Sequence, residues 1–126
     1  MLRIILIAAF LLGASALQAQ VKSISSDTAV LLLKDTSIGL IDVRTPREFK
    51  EGHIPGALHM DVLEEESFLR QIASLPKNKT YIVYCRSGVR SLRAVELMQQ
   101  NGFQQLLNLE KGILGWKGAI IQSKNQ

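Results

Sequence analysis

Apolar and polar positions change their period several times along this chain, and each change marks an element. Ile38–Val43 (Ile-Gly-Leu-Ile-Asp-Val) and Thr80–Tyr84 are short, nearly continuous apolar runs rich in β-branched and aromatic residues, the pattern of strands buried on both faces. Ala57–Met60 and Gln105–Leu109 read as two further strands, and Val21–Ser26 as an extended lead-in. Between these runs the spacing lengthens. Val89, Leu92, Val95 and Met98 recur at three-residue steps and predict a helix over Gly88–Asn101, with Gly102 placed as a C-cap glycine. Phe68, Leu69, Ile72 and Leu75 predict a helix over Ser67–Leu75, and the acidic cluster Glu64–Glu66 sits at its start, where the helix dipole favours negative charge.

Capping chemistry places the remaining helices. Thr45-Pro46-Arg47-Glu48 fits a capping box with proline at the first helical position, and Gly52 ends the short helix that it starts. Ser25 or Ser26 suits the N-cap of a helix over Asp27–Lys34. Gly112–Ala119, with Ile113, Leu114 and Trp116, reads as a short terminal helix, followed by a polar tail. Strands that alternate with helices argue for an α/β domain whose mostly parallel sheet is covered on both faces. Ligands of such sheets bind beyond the C-terminal ends of the strands. Cys85 stands at one of those ends.

The N-terminus follows a different rule. Met1–Ala19 has one basic residue, Arg3, then an unbroken apolar stretch from Ile4 to Leu12 and small residues from Gly13 to Ala16. This is the layout of a secretory signal peptide, with cleavage expected near Ala16 or Ala19. The apolar stretch is well short of the roughly 20 residues that span a bilayer, so no stable membrane insertion is expected after cleavage. The expectation is an exported, periplasmic protein with a signal over 1–19, one domain over 22–120 and a tail over 121–126.

Composition refines this only slightly. With 126 residues, 47% apolar and 21% charged, the chain has the make-up of one ordinary globular domain. Its formal charge is +4, and its basic residues are scattered rather than clustered, which argues against nucleic-acid binding. Cysteine changes the picture more. Cys85 is the only one, so no internal disulfide can form, and an exported protein would carry it as a free thiol.

The residues around Cys85 give that thiol a reactive setting. A strand ends on it, a loop with Gly88 comes next, and a helix starts, so unpaired N–H groups face the sulfur and favour its anionic form. Arg86 and Arg90 flank it with positive charge. A buried structural cysteine is the commonest state of a free thiol, but a glycine and two arginines do not suit a core position.

Three stretches in order resemble the rhodanese-like domain family. They are Leu40-Ile41-Asp42-Val43-Arg44 with Glu48-Phe49 and Gly52-His53-Ile54-Pro55-Gly56-Ala57, then Tyr84-Cys85-Arg86-Ser87-Gly88-Val89-Arg90-Ser91, and last Gly112-Ile113-Leu114-Gly115-Trp116. The resemblance covers about residues 22–120 and implies a central five-stranded, mostly parallel sheet with helices on both faces. It also implies a sulfurtransferase of the thiosulfate type. Cys85 would take a sulfane sulfur from a small anionic donor, become a persulfide, and pass the sulfur to cyanide or a thiol. The amides of Arg86, Ser87, Gly88, Val89 and Arg90 would cradle the persulfide, and Arg86 and Arg90 would hold the sulfonate end of thiosulfate. Neither a metal nor an organic cofactor is implied.

Rival readings attach to particular residues. Cysteine phosphatases use a related loop with five residues between the cysteine and an essential arginine. Here four residues separate Cys85 from Arg90, and Ser91 stands at the arginine's place. Asp42 and Arg44 could form a functional ion pair, although a strand-end Asp that bonds nearby backbone and supports the loop is the plainer reading. Glu48 fits a cap, with or without an arginine partner, better than an acid catalyst. His53 sits in a glycine-proline turn and pairs with nothing chemical, His59 has no distinguishing context, and Trp116 reads as a core or lid residue. A different class of function also stays open: a binding module or thiol redox carrier acting on a thiol-bearing partner protein, which would need the same low-pKa thiolate.

Overall fold

The computed structural model describes residues 21–123, so the expected signal segment and the last residues of the tail lie outside the described residues. Five strands, β1 (Lys22–Ile24), β2 (Gly39–Asp42), β3 (Leu58–His59), β4 (Tyr81–Tyr84) and β5 (Leu106–Leu109), form one sheet in the order β1-β5-β4-β2-β3. All four pairings are parallel. The lead-in before the first helix is therefore an edge strand, held by pairing Lys22, Ser23 and Ile24 with Leu107, Asn108 and Leu109. Nothing in its own sequence demanded that pairing.

The helices are α1 (Ser26–Leu32), α2 (Pro46–Glu51), α3 (Glu65–Ala73) and α4 (Val89–Gln100). Ser25 caps α1 through the Thr28 amide, and Thr45 with Glu48 closes the expected capping box on α2. The acidic residues Glu65 and Glu66 occupy the first turn of α3, as their charge favours. The terminal segment differs from expectation. Instead of a helix over Gly112–Ala119 it makes one 3-10 turn, Gly112–Gly115, which ends where Trp116 turns extended, and its first-turn amides, those of Ile113 and Leu114, bond the carbonyls of Cys85 and Arg86. The backbone also stays paired past residue 120: Ile121 and His53 exchange both hydrogen bonds, and the Ser123 amide reaches the Lys50 carbonyl.

Strand alternation divides the core into two layers. Ile41, Val43, Tyr81, Val83, Cys85 and Leu106 point to the face covered by α3 and α4, against Phe68, Ile72, Val95 and Met98. Leu40, Ile82, Tyr84, Ile24 and Leu109 point to the other face, against Ala29 of α1 and the Ile113 and Trp116 side chains. Every residue of β4 is buried, which is why it reads as an unbroken apolar run and sits mid-sheet. Each such side chain contributes about 1.5–3 kcal/mol relative to exposure, so β4 is a firmly packed platform for the loop that follows it. Because odd-numbered β4 positions face α4, the residue after the strand, Cys85, is aimed at the start of that helix.

Candidate active site

Cys85 lies at the C-terminal end of β4 and is almost fully buried. The chain must turn within three residues to enter α4, and it does so through Gly88, the helix N-cap, at φ 106. That left-handed conformation is strained for any residue with a Cβ. No side chain caps α4, so its first amides are left to other acceptors. The sulfur is one: the Gly88 N–H donates to Cys85 Sγ at 3.1 Å. The Cys85 thiol in turn donates to Ser91 Oγ at 3.4 Å.

Burial pushes the Cys85 thiol up, but hydrogen bonds from the Ser91 hydroxyl and from the Ser91, Gly88 and Ser87 amides outweigh it, and the thiol falls below its ordinary value. The amides that act on the sulfur are thus those of Ser87, Gly88 and Ser91. The resulting nest favours a thiolate, and a sulfur anion bonded to it, and the Arg90 charge interacts favourably with that thiolate.

The two arginines of the loop have different surroundings. Arg90 makes a two-pronged ion pair with Glu48 of α2, Nη1 to Oε1 at 2.7 Å and Nη2 to Oε2 at 2.9 Å. This pair, with Thr45 adding hydrogen bonds, holds the Glu48 carboxyl down to about 2 despite some burial. Glu48 therefore caps α2 and ties it to α4 with the same carboxylate, and Arg90 does not reach the mouth of the loop as a free cation. Arg86 does: it is exposed and has no ion-pair partner among the described residues. It borders a shallow cleft of about 270 Å³ whose other charged lining residues are Arg44, Glu48 and Glu51, with Leu114 and Ile120 beside them. A larger cleft of about 460 Å³ lies at the opposite end of the sheet, around Ile38 and Pro76, away from the thiol.

Asp42 and Arg44 form the buried ion pair that the sequence left open. Arg44 Nη2 and Nε fork onto the Asp42 carboxylate at 2.7 and 3.0 Å, and Nη2 also donates to the Gly52 carbonyl at 2.7 Å. The Arg44 amide bonds Asp42 Oδ1 as well, so this aspartate both ends its strand and fixes the turn after it. Tyr84, the neighbour of Cys85, accepts a hydrogen bond from the Ile54 amide, and burial and Asp42 push its phenol up. This polar cluster anchors the Gly52–Ala57 turn to the strand carrying the cysteine. His53 and His59 are structural, both stacking on Phe49, with ring nitrogens bonded to the Phe49 and Arg44 carbonyls.

Two supports were harder to foresee. Gly112, at φ 55, packs so tightly that an added Cβ would lie 2.5 Å from the carbonyl oxygens of both Cys85 and Arg86. The terminal signature is therefore a brace pressed against the reactive loop, and Trp116, partly buried in the second core layer, fastens it. Asn108 is the second. It is buried in β5 and bonds Ser91 Oγ at 2.6 Å. Its only sequence signal is a lone amide inside the apolar run Leu106-Leu107-Asn108-Leu109.

Comparison with known proteins agrees with this geometry. The model of the rhodanese-like domain matches residues 25–119. A sulfurtransferase of Allochromatium vinosum is 36% identical over 97 residues, which cover 76% of this chain and 88% of that protein. A putative sulfurtransferase of Bacillus subtilis is 37% identical over 105 residues, covering 79% and 93% of the two chains. The crystal structure of a rhodanese-like domain protein from Staphylococcus aureus has a TM-score of 0.72 and 30% identity, covering 82% of this chain and 99% of that one. With a parallel sheet of the same design and sulfurtransferases as relatives, this chain belongs to the rhodanese-like domain family.

Proposed function

We propose that this protein moves a sulfane sulfur from a small anionic donor such as thiosulfate to a thiophilic acceptor, cyanide or a thiol, through a persulfide on Cys85. The observation that carries the reading is the Gly88 amide 3.1 Å from Cys85 Sγ, at a helix start with no side-chain cap. In the first half-reaction the thiolate attacks the outer sulfur of thiosulfate. A new S–S bond forms, the bond to the sulfonate sulfur breaks, and its electron pair leaves with sulfite. In the second, the acceptor attacks the terminal persulfide sulfur and the Cys85 thiolate leaves, giving thiocyanate when the acceptor is cyanide. The nest of amides lowers the cost of negative charge on sulfur at every stage.

Arg86 is the exposed cation that meets the anionic donor in this scheme, while Arg90 shapes the loop through Glu48. Val89 and Leu114 are exposed beside the loop, which favours a second reading in which the acceptor is a thiol on a partner protein. Residues 1–19 add the proposal that the work is done after export to the periplasm. The test is steady-state thiosulfate:cyanide turnover by the wild type and by Cys85→Ser. Turnover confined to the wild type, with double-displacement kinetics, supports the reading. A folded, reduced wild type that neither forms thiocyanate nor passes sulfur to dithiothreitol refutes it.

A further inference from the structure

The hydrogen bonds around Ser91 do not balance with one fixed proton. Its Oγ lies 3.0 Å from the Gly88 carbonyl, 2.6 Å from Asn108 Oδ1 and 3.4 Å from Cys85 Sγ. A hydroxyl has one proton to give. While Cys85 is a thiol the shortest contact is satisfied, because the S–H donates to Ser91 Oγ and the Ser91 O–H donates to Asn108 Oδ1. Once the S–H proton is lost to solvent, the thiolate can only accept. If the Ser91 proton turns to the sulfur to stabilise it, Ser91 Oγ is left facing Asn108 Oδ1 at 2.6 Å as two acceptors with no proton between them. Buried, that contact is costly.

Asn108 can remove the conflict because its side chain carries both an acceptor and a donor. Rotating the carboxamide by half a turn brings Nδ2 to Ser91 Oγ and frees the Ser91 proton for sulfur. We propose that Asn108 is a positioning residue for the nucleophile: its amide reverses as Cys85 ionises, and through Ser91 it sets how readily the thiolate forms. The geometry is built for this. Asn108 is buried on the face of β5 that meets α4, and Ser91 is fully buried opposite it. An apolar residue at this strand position would fill the core more simply.

The proposal rests on Cys85 as the working nucleophile, but its test does not require sulfur transfer. Cys85 is the only cysteine, so the pH dependence of alkylation by iodoacetamide reports its thiol alone in the full chain. The charged groups around the loop are Arg86 and Arg90 within it, Glu48 from α2, Asp42 and Arg44 after β2, Asp61 before α3, and Lys111 behind Gly88. None of these is altered in the variants, Asn108→Leu and Asn108→Asp, each made with Ser91 present and with Ser91→Ala. With Ser91 in place, both should raise the apparent thiol pKa by about half a unit to one unit, the worth of one hydrogen bond. Asp, which accepts only and adds a negative charge near the sulfur, should raise it more than Leu.

In the Ser91→Ala background the Leu substitution should shift nothing, and the Asp substitution should shift less than it does with Ser91 present. Shifts of equal size in both backgrounds, or no shift with Ser91 present, would overturn the proposal. Should the buried substitutions prevent folding, the wild type decides the matter. The side-chain amide signals of Asn108 should move with the same midpoint as the thiol in a pH titration followed by ¹⁵N NMR, and signals that stay fixed through that midpoint would overturn the relay. Loss of sulfur transfer in an otherwise coupled wild type would count against the proposed function and leave the relay standing.

Discussion

Glu48 offers a sharp test of how the loop is held, because its carboxylate performs two tasks. It accepts both prongs of the Arg90 guanidinium and closes the capping box with Thr45. Its pKa of about 2, against an ordinary 4.5, sets the scale of the effect. At neutral pH that difference corresponds to about 3 kcal/mol, since each unit is worth about 1.4 kcal/mol. The pair is about one quarter exposed, and solvent screening brings a realistic figure to about 1–2 kcal/mol. Because the folded pKa is depressed, this stability is fully present above the unfolded value and is lost as pH falls from 4.5 through about 2. At pH 3 less than half of it should remain. Glu48→Gln keeps the shape of the side chain and removes the charge. Urea unfolding of wild type and variant at pH 7 and pH 3 should therefore show a gap of about 1–2 kcal/mol that closes by more than half at the lower pH. A gap of the same size at both pH values would mean that the lost stability is packing or capping, and that the ion pair is not what ties α2 to α4.

Other parts of the site make their own demands. Gly112→Ala forces a Cβ against two backbone carbonyls at a left-handed position, so it should cost about 2–4 kcal/mol in thermal or urea unfolding and reduce sulfur transfer at temperatures where the protein is still folded. Arg86→Ala should leave stability within experimental error while raising the KM for thiosulfate roughly 3–10-fold, the worth of one exposed contact to an anion. A change confined to kcat would remove Arg86 from donor binding. Asp42→Ala strands the buried Arg44 charge and should cost about 3–5 kcal/mol, whereas Asp42→Leu with Arg44→Met should recover most of that loss. Equal instability in the single and paired variants would mean that the ion pair is indispensable to the turn rather than replaceable by packing.

Much of this was legible in the sequence, and the reasons are local. β4 announced itself because a strand buried on both faces needs a continuous apolar run, and Thr45 to Glu48 because a capping box is complete within four residues. Cys85 stood out through its position just before a glycine turn into a helix. The hidden features depend on contacts between distant segments. The sequence allowed Glu48 an arginine partner without saying which, and because its carboxylate finds Arg90 across 42 positions, the fold leaves only one of the two loop arginines exposed. Gly112–Ala119 looked helical because its apolar spacing was real, but the chain turns extended at Trp116, whose side chain packs in the second core layer, and only one turn forms. β1 is a strand because β5 pairs with it. Asn108 carries its meaning only when α4 brings Ser91 to it.

The central claim is that Cys85 holds the transferred sulfur as a persulfide, and intact-mass spectrometry after brief exposure to thiosulfate tests it most directly. The wild type should gain the mass of one sulfur atom and lose it on addition of cyanide, and Cys85→Ser should gain nothing. A wild type that turns over thiosulfate without ever carrying that mass, or a Cys85→Ser variant that carries it, would contradict the account.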